Sequence, residues 1–255
     1  SIQLAVGGKN VSLQFIIGSS GIGKTHYACE QIIRESMENP QHLYYIIVPE
    51  QFTMQTQKNV VEMHPGKGIL NIDVLSFQRL AYRIFEETGG AREVLLDDTG
   101  KSMVLQKLVQ QHRKNLPYLG SQMNKPGYLD EVKSLISEFM QYDIREEELQ
   151  DMLGKTGEDS LLHMKMQDVG VLYQAFLQYL EGHYMTGEGV MDALKKAIPF
   201  SDKLKKSVLL LDGFTGFTPV QMNVIRELLN VCDKVLVTVT MDAGENPLQL
   251  GKPHQ

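Results

Sequence analysis

The segment Gly18-Ser19-Ser20-Gly21-Ile22-Gly23-Lys24-Thr25 decides the fold, together with the apolar run before it (residues 11–17, VSLQFII) and the helix-patterned run after it (residues 24–36). It matches G-x-x-x-x-G-K-[ST] at every position. Its glycines let backbone N–H groups curl around a polyphosphate, where bulkier residues would block the approach. Lys24 is suited to the β- and γ-phosphates and the Thr25 hydroxyl to Mg²⁺. The start of the following helix adds partial positive charge. These eight residues form the expected nucleotide cradle, with His26 next in line facing the adenine side or solvent. The plainer reading is a glycine-rich strand-to-helix turn that binds nothing.

Outward from this segment, short β-like runs alternate with helical ones. Residues 43–48 (LYYIIV) read as a buried strand ended by Pro49, 51–61 as a helix, and 69–75 (ILNIDVL) as a third strand. Residues 77–88 read as a helix closed by Gly89-Gly90. Later, 207–212 (SVLLLD) and 234–241 (KVLVTVTM) read as strands around a helix at 221–229. Alternation of this kind predicts βαβ units and a parallel sheet. Between them, residues 97–200 carry almost no strand signal. Apolar residues recur there at helical spacing, as in Leu129, Val132, Leu135, Ile136, Phe139 and Met140. The expectation is an α/β core at 1–96 and 201–255, interrupted by an all-helical insertion of four to six helices at 97–200. The last strand has no helix after it, which suggests a piece of a longer chain.

A phosphate loop of this type works with a second acidic strand, hhhhD, often followed by Glu. The Asp assists Mg²⁺ and the Glu activates water. Val208-Leu209-Leu210-Leu211-Asp212 supplies the first part, but the next residue is Gly213. A glycine neither orients nor deprotonates water, and general-base catalysis is worth about 10²–10⁴-fold. Binding without efficient hydrolysis is the expectation, with Thr25 and Asp212 as the Mg²⁺ ligands and no catalytic residue assigned. The plainer alternative for LLLD is a core strand ending in a turn aspartate.

Composition narrows the rest. The 255 residues carry 25 Lys+Arg against 31 Asp+Glu, a net charge of -6, so the chain as a whole is no basic nucleic-acid glove. No apolar run of about 18 residues is present, and the opening SIQLAVGGKN lacks a basic, apolar leader. A cytoplasmic, non-membrane setting is expected. Cys29 and Cys232 lack the paired spacing of a zinc or iron–sulfur site. The seven histidines are scattered without metal-ligand spacing, and no nucleophile elbow is present. Residues 101–133 hold six bases (Lys101, Lys107, Arg113, Lys114, Lys125, Lys133) against two acids. Such a run is usually a solvated helix face. Met103, Met140, Met152 and Met166 sit at helical apolar positions and are expected to form a deformable core.

The segment Asp212-Gly213-Phe214-Thr215-Gly216-Phe217-Thr218-Pro219-Val220-Gln221 resembles a worn motif II of superfamily 1, UvrD-like helicases, with Asp212, Phe214 and Gln221 matching. Val48-Pro49-Glu50-Gln51-Phe52 and Leu75-Ser76-Phe77-Gln78-Arg79-Leu80-Ala81 stand where that family contacts single-stranded DNA. The ordered set GSSGIGKT, VPEQFTMQ, VLSFQRLAYRIFEETGG, KPGYLDEVKSLISEF and LLLDGFTGFTP is similar to the N-terminal part of the B subunit of AddAB-type and RexAB-type helicase–nucleases. The resemblance covers nearly the whole chain. It implies a RecA-like P-loop core with a helicase-type helical insertion and a degenerate motor. It also implies ATP and Mg²⁺ as ligands, a partner A subunit, and DNA ends processed for recombinational repair. Gln51, Ser76, Phe77 and Arg79 become the DNA-contact candidates. The family's nuclease and iron–sulfur cluster lie far downstream, so neither is expected in this chain. Two other classes fit the phosphate loop. One is a small-molecule kinase, disfavoured because residues 97–200 hold only Arg113 and Arg145. The other is a nucleotide-free module that docks a partner.

Overall fold

The computed structural model describes residues 2–6, 9–19, 21, 23–67, 71–123, 125–157 and 160–240, with side chains from Leu13 onward. Strands and helices run Ile2–Val6 (β1), Lys9–Gly18 (β2), Lys24–Glu38 (α1), Leu43–Ile47 (β3), Thr53–Met63 (α2), Ile72–Leu75 (β4) and Phe77–Thr88 (α3). Next come Val94–Leu95 (β5), Asp98–Gln111 (α4), Pro117–Gln122 (α5), Tyr128–Gln141 (α6), Glu146–Gly154 (α7), Leu161–Leu180 (α8), Tyr184–Met185 (β6) and Gly187–Ala197 (α9). Ser207–Leu211 (β7), Pro219–Val231 (α10) and Lys234–Thr240 (β8) complete the order.

The protein is α/β. One sheet has the order β1-β2-β8-β7-β3-β4. Its strands β2, β8, β7, β3 and β4 are mutually parallel, and β1 alone is antiparallel. A parallel sheet is covered on both faces, which is why its strands read as unbroken apolar runs; all five residues of β7 are buried. Alternate residues serve opposite faces. Ile16, Tyr44, Ile46, Val208, Leu210 and Leu236 pack with Ala28, Cys29, Ile32 and Ile33 of α1 and Val60 of α2. Their neighbours Tyr45, Ile47, Leu209, Leu211 and Val235 are buried as well.

Three expectations shift here. The opening segment, to which the sequence reading assigned no element, forms β1 and pairs from Ile2↔Leu13 to Val6↔Lys9. A 3-10 turn at Glu50–Phe52 delays α2 to Thr53. The strand expected at 69–75 begins at Ile72, with residues 68–70 outside the described residues. Helix α3 keeps its expected bounds because both ends are marked chemically. The Ser76 hydroxyl accepts the Arg79 N–H (3.3 Å), and Gly89 turns the chain at φ 68°.

The parallel register gathers the C-terminal strand ends on one edge. Gly18 lies opposite Thr240. The Asp212 N–H donates to the Ile47 carbonyl and the Val48 N–H to the Leu75 carbonyl, both at 3.0 Å. Ligands of open parallel sheets bind at this edge.

The chain divides into two compact units: residues 1–90, 194–217 and 221–255, which hold the sheet, and residues 91–193 with 218–220. The second unit is mainly helical, with a core that includes Leu105, Leu116, Val132, Ile136, Leu172 and Phe176. It also holds β5 and β6, a two-residue parallel pair (Val94↔Tyr184, Leu95↔Met185) that no apolar run announces. In the basic stretch Lys107, Arg113, Lys114 and Lys125 are exposed, as a solvated face requires, whereas Lys101 and Lys133 are drawn into ion pairs. Lys101 is 5% exposed, pairs with Glu188 (3.2 Å) and donates to the Ser137 hydroxyl (2.9 Å). Lys133 is held by Asp98 (2.7 Å) and Asp130 (3.4 Å). Met140 and Met166 pack on the core as expected, whereas Met103 and Met152 are exposed. No described helix is long and apolar enough to cross a membrane.

Candidate functional site

Helix α1 starts at the sheet edge with no side chain capping it and no acid in its first turn. Its leading N–H groups are thus available to an anion. Gly21 and Gly23 both take φ 78°, and a Cβ at either would meet nothing within 4 Å. Glycine is required by the left-handed backbone rather than by crowding. The Lys24 ammonium folds back onto the Ser19 carbonyl (2.5 Å), an acceptor that a phosphate oxygen can replace. Ser20 and Ile22, the remaining variable positions of the loop, lie outside the described residues.

Two strands away, β7 delivers Asp212 to the same face as Val208 and Leu210, the face that α1 covers. Asp212 is 4% exposed. Its Oδ1 accepts the Thr25 hydroxyl (3.1 Å) and the Thr238 hydroxyl (2.6 Å). The expected pair Thr25–Asp212 is thus in direct contact. Thr238 was missed because only the pairing of β8 between β2 and β7 brings it there. Its sequence signal was alternation: Leu236, Thr238 and Thr240 share one face of the strand.

A cavity of about 780 Å³ opens over this cluster. It is lined by Gly21, Gly23, Lys24, Thr25, His26 and Cys29, by Asp212–Thr215, and by Thr238 and Thr240. Helix α2 closes another side with Thr56, Asn59, Glu62 and Met63, residues that no motif had singled out. All of these belong to the first unit. Burial, and secondarily the Asp212 charge, push the Cys29 thiol up to about 12, so it stays protonated and is no nucleophile. Burial likewise takes Cys232 to about 12. The oxygen donors of Thr25 and Asp212 are hard ligands of the kind Mg²⁺ takes when phosphates and water complete its shell. Among the described residues no cluster of three or more His, Cys, Asp or Glu forms an all-protein metal cage.

Gly213 takes φ 78°, and a Cβ there would start 3.5 Å from Pro49 Cδ and 3.7 Å from Phe52 Cδ2. The turn after Asp212 is therefore shaped for glycine, with its side-chain direction set against the 49–52 turn.

The DNA-contact candidates separate into two kinds. Gln51 is exposed, and so is Arg79, whose guanidinium pairs with Glu50 (2.9 Å) and ties the two motif segments together. Ser76 and Phe77 are each 5% exposed. Ser76 caps α3, and Phe77 packs on Phe214 (ring centroids 5.5 Å apart), which in turn meets Phe217 (5.0 Å). Phe77 is thus core, and its ring is not presented for stacking on a base.

Residues 15–252 match the family model described as ADDB, N-terminal. The chain is 45% identical over 92% of its length to the B subunit of the ATP-dependent helicase/deoxyribonuclease of Lachnoclostridium phytofermentans, covering 20% of that protein. It is 33% identical over 91% of its length to the protein of the same name from Alkaliphilus metalliredigens (20% of that protein), and 32% over 96% to that of Geobacillus thermodenitrificans (21%). The chain therefore spans about a fifth of the length of these curated relatives.

Proposed function

The chain belongs to the AddB N-terminal family, and from that premise we propose that it is the ATP-binding, helicase-like N-terminal region of a helicase–nuclease B subunit that works with a partner A subunit on DNA ends. The first unit acts as a RecA-like P-loop core and the helical second unit as an insertion in it. The observation that carries the reading is the Thr25–Asp212 hydrogen bond beneath an uncapped helix start and two left-handed glycines. A glycine-rich turn with no ligand has no need of a buried carboxylate held against its threonine.

In this reading the N–H groups of the loop and of α1 take the phosphates, and Lys24 exchanges the Ser19 carbonyl for a phosphate oxygen. Thr25 and Asp212 would hold Mg²⁺, which when bound neutralises phosphate charge. Thr25 can offer an oxygen lone pair to the metal and still donate its proton to Asp212. No carboxylate follows Asp212 to activate water, so the fragment holds ATP and turns it over slowly or not at all. Gln51 and Arg79 are the residues offered to single-stranded DNA, with Ser76 and Phe77 holding the start of the helix that presents Arg79. Nuclease chemistry and an iron–sulfur cluster belong to parts of the whole protein outside this chain.

Calorimetric titration of the chain with Mg–ATP, beside Lys24→Ala, tests the reading. Binding by the wild type and a loss of tenfold or more in the variant is the expected result. Equal, negligible binding in both would defeat it.

A further inference from the structure

Thr238 belongs to no motif read from the sequence, yet it makes the shortest contact to the carboxylate at the centre of the site. Its hydroxyl donates to Asp212 Oδ1 at 2.6 Å. Thr238 is 8% exposed, sits on β8 between the strands that end at the phosphate loop and at Asp212, and lines the cavity. Asp212 itself is buried. The Thr25 hydroxyl converges on the same oxygen at 3.1 Å, so the second carboxylate oxygen carries neither of these two bonds.

We propose that Thr238 is a positioning residue for the Mg²⁺-nucleotide: by occupying Oδ1 from inside the sheet, it fixes the Asp212 rotamer and commits the other oxygen to the metal's hydration shell. A buried acceptor loses stability when its donor is removed, and the carboxylate is then held by Thr25 without its partner on β8 and is free to rotate. Groups that orient a metal ligand from behind are typically worth ten- to hundredfold in metal affinity. Thr238 is well suited to this task because its β-branched side chain has few rotamers on a strand, and its neighbours Val237 and Leu236 are packed. A valine, without the hydroxyl, keeps the shape and removes the bond. A serine keeps the bond and removes only the methyl.

The inference rests on the ATP-binding reading, and the experiment separates the two. ATP is titrated into the wild type, Thr238→Val and Thr238→Ser by calorimetry, once with Mg²⁺ and once with EDTA. The expected result is a loss of ten- to hundredfold in the Mg²⁺-dependent gain in affinity for Thr238→Val. Its affinity in EDTA should be unchanged, and Thr238→Ser should behave like the wild type. An unchanged Mg²⁺ gain in Thr238→Val overturns the role of Thr238 and leaves ATP binding standing. Absence of ATP binding by the wild type takes down both. Should Thr238→Val not fold, the comparison moves to Thr238→Cys, which keeps the side-chain size but donates only weakly. Its Mg²⁺ gain should fall by a similar factor, and a wild-type gain there overturns the proposal.

Discussion

Thr25 on the first helix and Asp212 at the end of β7 are 187 residues apart in sequence and share a hydrogen bond of 3.1 Å. That bond joins the phosphate loop to the acidic strand across an intervening β8, and Thr238 of β8 bonds the same carboxylate oxygen. The nucleotide reading depends on this three-residue cluster. Each of its members lies in the sheet unit, so the cluster needs nothing from the helical unit to form.

Gly213 occupies the place where a water-activating glutamate is expected, and its backbone has turned to φ 78°. Restoring the side chain is therefore not enough. Gly213→Glu places an L-residue in the left-handed region at a cost of about 1–2 kcal/mol and starts its side chain against Pro49 and Phe52. Urea denaturation should register that loss, and ATP turnover should stay at the wild-type level. A hundredfold rise in turnover would mean that the turn relaxes and that only the missing carboxylate limits hydrolysis.

Phe77 and Arg79 stand two residues apart and should respond differently. Phe77→Ala removes a buried ring that packs on Phe214, and is expected to cost about 3–5 kcal/mol of stability. Arg79→Ala breaks an exposed pair with Glu50 and should change stability by under about 1 kcal/mol. The readout that singles out Arg79 is single-stranded DNA binding, where its loss should weaken affinity and flatten the salt dependence. Equal stability losses in the two variants would contradict the division into core and surface.

Glu35 of α1 and Lys234 of β8 meet at 2.7 Å with their side chains roughly three-quarters buried. Burial pushes the Glu35 carboxyl up, but hydrogen bonds from Lys234 and Gln31 and the Lys234 charge outweigh it and leave the group below its ordinary value of 4.5. A depressed carboxyl stabilises the fold above that ordinary value, and the contribution is lost as pH falls through the lower folded-state value. Glu35→Gln should therefore cost about 1 kcal/mol near neutral pH, allowing for partial solvent screening. The difference from the wild type should shrink below about pH 4. Chemical denaturation across pH 3–7 checks this, and a gap that widens on acidification would reverse the assignment.

Much of the architecture was legible because parallel strands are buried on both faces and announce themselves as apolar runs. SVLLL and LYYII were found for that reason. Helix α3 was legible to the residue because Ser76 and Gly89 mark its ends. The start of α2 was not, since the 3-10 turn at Glu50–Phe52 has no distinct pattern. The edge strand β1 escaped because its pairing with β2 shows only in the register. Within the site, the loop residues and Asp212 carry motif signals, so they were readable. Thr238 and the α2 residues Thr56, Asn59 and Glu62 carry none; strand order and helix placement alone bring them to the cavity. Spacing on α4 also misled, since Met103 falls at an apolar repeat yet stays exposed while Leu105 and Leu108 are buried.

The central claim is that this chain grips a triphosphate and lacks the group to cleave it. A single-turnover experiment tests both halves in one sample: radiolabelled ATP is mixed with excess protein and Mg²⁺, and bound nucleotide and released phosphate are followed together. The account predicts retained, intact ATP over many minutes. Phosphate released within seconds, at the rate of a working motor, would contradict it.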